Sequence, residues 1–271
     1  MNLSIDATDP VVTRPRSGYH TATLGKGLEV LEALSHLESA SLTELSRNLG
    51  FTSPTLFRIL ATLVDCGFVT KSVRDSRYRL SLRSWEIGVR AMARISPREV
   101  ALGRMEALAA ELNESPHLAV LEGSGVVILE KVECRQPIRV ETYVGLRAPA
   151  FCSAMGKAIL AYRKESDLEE HVAEPLIPYT ENTLVRREDL LRELARVREQ
   201  GYATNRSEWH AGVCALAVPL FEADRSVRSA LSVTMPTERF SEERLHELLL
   251  PELQRAAADI SRDLGGRPPR R

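Results

Sequence analysis

The stretch that decides the fold reads SLTELSRNLGFTSPTLFRILATLVDCGF, from Ser41 to Phe68. Ser41-Leu42-Thr43-Glu44 has the form of a capping box: Ser41 caps the first amides of a helix and Glu44 reaches back to the amide of the cap. Leu42, Leu45 and Leu49 give that helix an apolar face, and Gly50 can end it in the left-handed conformation. A second start follows at once, with Ser53 expected as N-cap and Pro54 at the first helical position, where its missing N–H costs nothing. Leu56, Ile59, Leu60 and Leu63 line the buried side of this helix, and Gly67 stops it. Two short helices joined by so tight a turn form a helix-turn-helix.

Upstream, Leu24, Leu28, Leu31 and Leu34 recur at three- to four-residue spacing, which predicts an amphipathic helix. Downstream, Phe68–Val73 and Arg77–Leu82 read as two strands, with Tyr78, Leu80 and Leu82 alternating inward and Arg74-Asp75-Ser76-Arg77 as the turn. That hairpin would be the wing of a winged helix. A further helix is expected from Leu82 to Ile95, with Pro97 marking its end. It carries Leu82, Trp85, Val89 and Met92 on one stripe. A linker has little core of its own, so Trp85, Val89 and Met92 are expected to be buried by a partner chain.

Off the buried face of the recognition helix stand Thr52, Ser53, Thr55, Arg58 and Thr62. Residues at the start of such a helix reach base edges, and its amides favour phosphate oxygens. Lys71, Arg74, Arg77 and Arg79 surround the hairpin turn with only Asp75 opposing them, a placement suited to neutralising phosphates. Phe57 is expected to pack in the core rather than face DNA. From Ser41 to Ser96 nine basic residues stand against four acidic ones, a local +5, while the whole chain carries -1. The near-zero total therefore conceals a basic module joined to an acidic one.

At 271 residues, with 44% hydrophobic and 27% charged side chains, the chain has the composition of a globular protein of two domains. The first 25 residues hold no apolar signal core, and the longest apolar stretch, Val213–Phe221, is too short to span a membrane. Cys66, Cys134, Cys152 and Cys214 are far apart, as suits thiols in a reducing cytoplasm better than disulfides or a zinc site. A cytoplasmic protein without membrane or metal is expected. The organisation expected is a flexible arm (1–20), a winged helix-turn-helix (21–82), a linker helix (83–97), a second domain (98–264) and a loose tail (265–271).

That second domain opens with a helix over Val100–Leu112. Apolar runs follow at His117–Leu121, Val126–Val132 and Ile138–Val144, then helices at Ser153–Ala161 and Arg187–Gln200. Runs return at Ala215–Phe221 and Val227–Thr234 before a closing helix over Glu242–Leu264. Strands in two batches with helices between them give an α+β class. Catalytic signatures are missing. Gly156-Lys157-Ala158 lacks the upstream glycine and the Ser/Thr of a phosphate loop, Gly123-Ser124-Gly125 is a turn rather than a nucleophile elbow, and the histidines show no metal spacing. Cys152 has no local base and reads as a buried thiol. Ser232 and Thr234 share one face of an apolar strand, where hydroxyls either pair in the core or line a cavity. An enzyme built on this domain is the alternative reading of the chain.

Several blocks together resemble the IclR family of bacterial transcriptional regulators. In the first half these are Gly27-Leu28-x-Val30-Leu31, Leu42-Thr43-Glu44-Leu45, Thr55 to Leu63 and Tyr78-Arg79-Leu80. In the second they are Pro149 to Ala161, Gly201-Tyr202-Ala203, Glu208, Gly212-Val213 and Ala217-Val218-Pro219. The resemblance implies a winged helix, a linker helix used in dimerisation and a GAF-like effector-binding domain with an antiparallel sheet. It also implies a dimer, or dimer of dimers, on operator double-stranded DNA, without a cofactor and tuned by a small organic effector. Carried over by position, the pocket would use Asn205, Ala215, Ser232 and Thr234 beside the loop holding Phe151, Ser153, Ala154 and Met155, with Leu216 as further apolar wall. Asn205 stands where relatives often have Asp, and Ala215 where they commonly have Cys, which points to a diverged effector, carboxylate or aromatic in kind. The first amides of the helix after Ser153 would favour an anion.

Overall fold

The computed structural model describes residues 3–4, 21–92, 97–172 and 174–266, with backbone only at 3–4 and 89–92. The chain divides into two compact units, Arg14–Ile95 and Ser96–Arg271, and the second also takes in β1 (Leu3–Ser4).

In the first unit, α1 (Ala22–Ser35), α2 (Leu42–Leu49) and α3 (Ser53–Asp65) precede β2 (Val69–Lys71), β3 (Tyr78–Leu80) and α4 (Leu82–Met92). The capping box forms as its residues dictate: the Glu44 amide donates to Ser41 Oγ (3.3 Å) and the Ser41 amide to Glu44 Oε2 (2.8 Å). Gly50 ends α2 at φ +67°. The recognition helix starts one residue earlier than expected, with Thr52, not Ser53, in the extended capping position. The Thr52 hydroxyl donates to Thr55 Oγ1 (3.0 Å) instead of capping an amide. Val30, Leu34, Ala40, Leu45, Leu56, Ile59, Leu60, Val69 and Tyr78 make the core.

Four details differ from the sequence reading. Only the second half of α1 is buried; Leu24 and Leu28 are exposed, and Leu24 lines an open groove of about 500 Å³ with Thr55, Arg58 and Ile59 of α3. Phe57 is exposed rather than core, because Leu56 and Leu60 claim the inner face and a step of 100° carries residue 57 to the flank. The hairpin is short, pairing Val69 with Leu80, Thr70 with Arg79 and Lys71 with Tyr78; Leu82 is exposed because it already begins α4, where the two-residue period ends. Pro97 opens the next helix, since proline fits the first turn. In α4, Trp85 is 65% exposed, whereas the side chains of Val89 and Met92 and all of residues 93–96 lie outside the described residues.

The second unit begins with α5 (Pro97–Leu112), β4 (Ser115–Glu122), β5 (Gly125–Lys131), β6 (Val140–Glu141) and β7 (Arg147–Pro149). Next come α6 (Ala154–Leu160), α7 (Glu165–His171), α8 (Arg187–Gln200), β8 (Ala203–Arg206), β9 (Val213–Phe221) and β10 (Val227–Pro236). The last helix runs from α9 (Glu242–Arg244) through a π-turn (Leu245–Leu249) into α10 (Leu250–Asp263). Six strands form an antiparallel sheet in the order β7-β5-β4-β10-β9-β8. This is the α+β architecture expected.

Alternation along the strands gives the sheet two different faces. Leu118, Leu216, Val218, Leu231 and Val233 turn toward the side covered by α5 and α10. Ala119, Ala203, Ala215, Ala217 and Ala230 turn the other way and cluster with α6 residues Ala154, Met155 and Ala158. Leu216 therefore does not wall the α6 side, since register places it opposite Val233 and Thr204. The expected strand at Ile138–Val144 shrinks to β6, which pairs in parallel with β1 instead of joining the main sheet. The expected arm thus contains a strand at Leu3–Ser4, while its other residues lie outside the described ones. The tail is tied down at its start: Gly265 bridges to Glu222, and the Gly266 amide donates to the Ser261 carbonyl (2.7 Å). A Cβ on Gly266 would sit 1.9 Å from the Phe221 carbonyl oxygen, so only glycine fits there.

Candidate functional site

The outer surface of the first unit is set by α3 and the hairpin. Ser53, Arg58 and Thr62 are exposed and Thr55 is half-buried along α3. Lys71, Arg74 and Arg79 are exposed around the hairpin; the Lys71 ammonium lies 5.4 Å from the Tyr78 ring centroid. Arg77 differs from these three. Its guanidinium turns back onto the α1–α2 connection, donating from Nε to Ser39 Oγ (2.9 Å) and from Nη2 to the Ser39 carbonyl (2.9 Å) and Glu44 Oε2 (2.8 Å). The Ser41 amide and hydroxyl, then Arg77, hold the Glu44 carboxyl below its ordinary range. The capping box of α2 thus also anchors the hairpin, a link that spacing along the chain did not reveal.

The second unit buries a polar face. Cross-strand register makes two rungs on the α6 side of the sheet: His117, Ser232, Ala217 and Ala203 in one, and Ser115, Thr234, Ala215 and Asn205 in the next. Three of these eight residues are alanines, whose side chains end at Cβ, which leaves room above the sheet. The others are polar and buried. Ser232 Oγ is fully buried and has no hydrogen-bond partner among the described residues, an arrangement that costs free energy unless something supplies one. His117 Nε2 lies 2.7 Å from Thr142 Oγ1, and burial, then the Lys131 charge, bring the ring's pKa down to about 4, so it is neutral at pH 7.

The predicted loop lies over this face. Phe151, Ser153, Ala154 and Met155 are buried beside the sheet. Ser153 caps the seven-residue helix α6 by accepting from the Gly156 amide (3.1 Å). Gly156 is required sterically, because a Cβ there would lie 2.0 Å from the Ala150 carbonyl oxygen. Asn205 Oδ1 accepts the Glu208 amide (2.8 Å), and its Nδ2 is a donor.

Two residues that matter here were quoted from the sequence without a role. Lys157 is 1% exposed and donates to both Glu208 oxygens (2.5 and 2.6 Å), with Glu193 Oε1 at 3.6 Å. Burial pushes the Glu208 carboxyl up and Lys157 opposes that shift. A lone lysine inside the apolar run Ala154-Met155-Gly156-Lys157-Ala158-Ile159-Leu160 was the available signal, since a buried ammonium must have a partner. Among the described residues no cluster of His, Cys, Asp and Glu could hold a metal, and no helix is long and apolar enough to cross a membrane.

Residues 23–72 match the IclR helix-turn-helix domain, and residues 89–262 match the family described as Bacterial transcriptional regulator IclR C-terminal. The chain belongs to the IclR family. It is 33% identical to the HTH-type transcriptional regulator KdgR of Escherichia coli K12, over 87% of this chain and 90% of that one. It is 32% identical to the DNA-binding transcriptional repressor YiaJ of the same strain, over 90% and 88%. Among solved structures, Thermotoga maritima IclR superposes with a TM-score of 0.75 at 28% identity, covering 91% of this chain and all of that one. An IclR homolog complexed with 4-hydroxybenzoate, from Microbacterium hydrocarbonoxydans, gives 0.77 at 27% identity, covering 90% and 99%. The IclR chain described here is a DNA-binding transcriptional regulator, and the enzymatic alternative is set aside. The helix-turn-helix match runs from α1 through α3 into β2, and the C-terminal match takes in the strands and helices of the second unit from α5 as far as α10.

Proposed function

We propose that this regulator acts in the cytoplasm as a dimer or dimer of dimers on a partly palindromic operator, and that a small organic effector held on the α6 side of the sheet changes its hold on DNA. The observation that carries the effector reading is the buried, unpartnered Ser232 hydroxyl on the same face of the sheet as Asn205, whose Nδ2 is a donor. Both present O–H or N–H groups, so the matching ligand brings acceptor oxygens, a carboxylate or carbonyl, while Phe151, Met155 and the alanines favour a hydrocarbon or aromatic body. The likeness to a homolog complexed with 4-hydroxybenzoate supports the same class. On DNA, Ser53, Thr55 and Arg58 lie nearest the bases and phosphates, with Lys71, Arg74 and Arg79 on the flanking backbone. Dimerisation is assigned to the exposed stripe of α4 around Trp85.

A thermal-shift screen of small organic acids, 4-hydroxybenzoate among them, tests the effector site. A ligand at about 100 times its dissociation constant stabilises the fold by roughly 2.7 kcal/mol. Hits lose their shift in Ser232→Ala or Asn205→Leu while both variants still bind DNA. Hits that ignore both substitutions move the pocket elsewhere.

A further inference from the structure

We propose that Phe57 is a base-reading residue that recognises thymine through its methyl group, resting on the assignment of α3 as recognition helix. Phe57 is 53% exposed and lies outside the core cluster of its unit. It is the fifth residue of α3, within the first turn and a half, where recognition helices reach base edges. Its neighbours one turn away are Pro54 and Ala61, both exposed. These three residues, at i, i+3 and i+7, form an apolar strip along one flank of α3. The other flank carries Thr55, Arg58 and Thr62. The two flanks are chemically opposite, and only the second can donate hydrogen bonds from its side chains.

A benzyl side chain and two residues without polar side-chain atoms cannot read the donors and acceptors of the major groove. What they can recognise there is the one apolar group that B-DNA displays, the C5-methyl of thymine, and phenylalanine is among the side chains that do so. Leaving a phenylalanine in water forfeits the burial it would gain against an apolar surface. The strip gains that burial only when α3 enters the groove. Thymine is therefore expected in each half-site on the side met by Phe57, while the Thr55–Arg58 flank makes the polar and phosphate contacts.

The experiment uses the full-length protein and a random-sequence DNA duplex library. The selected duplex is remade with dU replacing dT at one position at a time, which removes the methyl and leaves pairing intact. At one or two positions per half-site, dU weakens wild-type binding about fourfold, the factor expected for one buried methyl. Phe57→Ala binds the dT and dU duplexes equally at those positions, whereas Arg58→Ala keeps the wild-type ratio between them. Uniform indifference of the wild type to dU, a half-site without thymine, or an unchanged dT/dU ratio in Phe57→Ala would each overturn the assignment of Phe57 alone. A wild-type protein that selects no sequence would overturn the reading of α3 as well. The dU series on wild-type protein needs no variant, so it stands even if Phe57→Ala loses stability.

Discussion

Replacing Lys157 with methionine isolates the buried charge pair that ties α6 to the segment after β8. The substitution keeps the length of the stem and removes the ammonium that holds both oxygens of Glu208. Glu208 is then left buried without its counter-charge, and removing one partner of a buried pair costs about 3–5 kcal/mol. For a domain of this size that lowers the thermal midpoint by roughly 10 °C, at about 2–4 °C per kcal/mol. Glu208→Gln is expected to cost a similar amount by stranding Lys157, with Glu193 at 3.6 Å as its remaining partner. The double variant, with neither charge, is expected to cost less than about 2 kcal/mol, giving a coupling energy of about 4 kcal/mol or more. The pH dependence has a definite sign. In Lys157→Met the folded-state pKa of Glu208, already raised by burial, rises further, so the folded state binds a proton more tightly than the unfolded one. The deficit of the variant therefore shrinks as pH falls toward the acidic range and is largest at neutral pH. Denaturant unfolding of the four proteins at pH 7 and 5, following the effector-domain transition, measures this. Additive single effects, or single effects below about 1 kcal/mol, would refute the reasoning. Because the Glu208 amide holds Asn205 Oδ1, both single variants should also weaken effector binding.

Arg74→Ala should reduce the slope of log K against log salt on duplex DNA by about 0.9, the value for one phosphate contact, whereas Arg77→Ala should lower affinity with the slope unchanged, since Ser39 and Glu44 occupy its guanidinium. An equal loss of slope in both would place Arg77 on a phosphate. His117, with a pKa depressed to about 4 and facing Lys131, Thr142 and Ser115, contributes stability that is complete above pH 6.5 and lost as pH falls toward 4. The loss amounts to about 3 kcal/mol, and His117→Gln should remove that portion of the pH dependence in acid titrations of stability. Trp85→Glu should convert the proposed dimer to monomer at micromolar concentration in sedimentation velocity; an unchanged sedimentation coefficient would remove α4 from the interface.

Local chemistry was legible from the sequence alone wherever neighbours along the chain settle the outcome. The capping box at Ser41–Glu44, the left-handed stop at Gly50, the apolar runs of β9 and β10 and the helix over Arg187–Gln200 all follow from spacing within a few residues. The resemblance then supplied the two-domain plan and the candidate pocket positions. Other features depended on which distant groups the fold brings together. Arg77 and its neighbours Lys71, Arg74 and Arg79 are equivalent as charges in the sequence, yet Arg77 alone meets a carboxylate 33 residues away. Leu24 and Leu28 have the spacing of a core stripe but are exposed, and Leu24 borders an open groove beside α3 instead of packing into the core. Leu216 and Ala215 are adjacent and both apolar, and only strand register decides which of them faces α6. The Lys157–Glu208 pair spans 51 residues and the His117–Ser232 rung 115, so neither lies within reach of a local pattern. Burial and charge pairing depend on tertiary contacts between distant segments, and those contacts decided which polar residues became buried partners and which stayed exposed on the DNA-reading face.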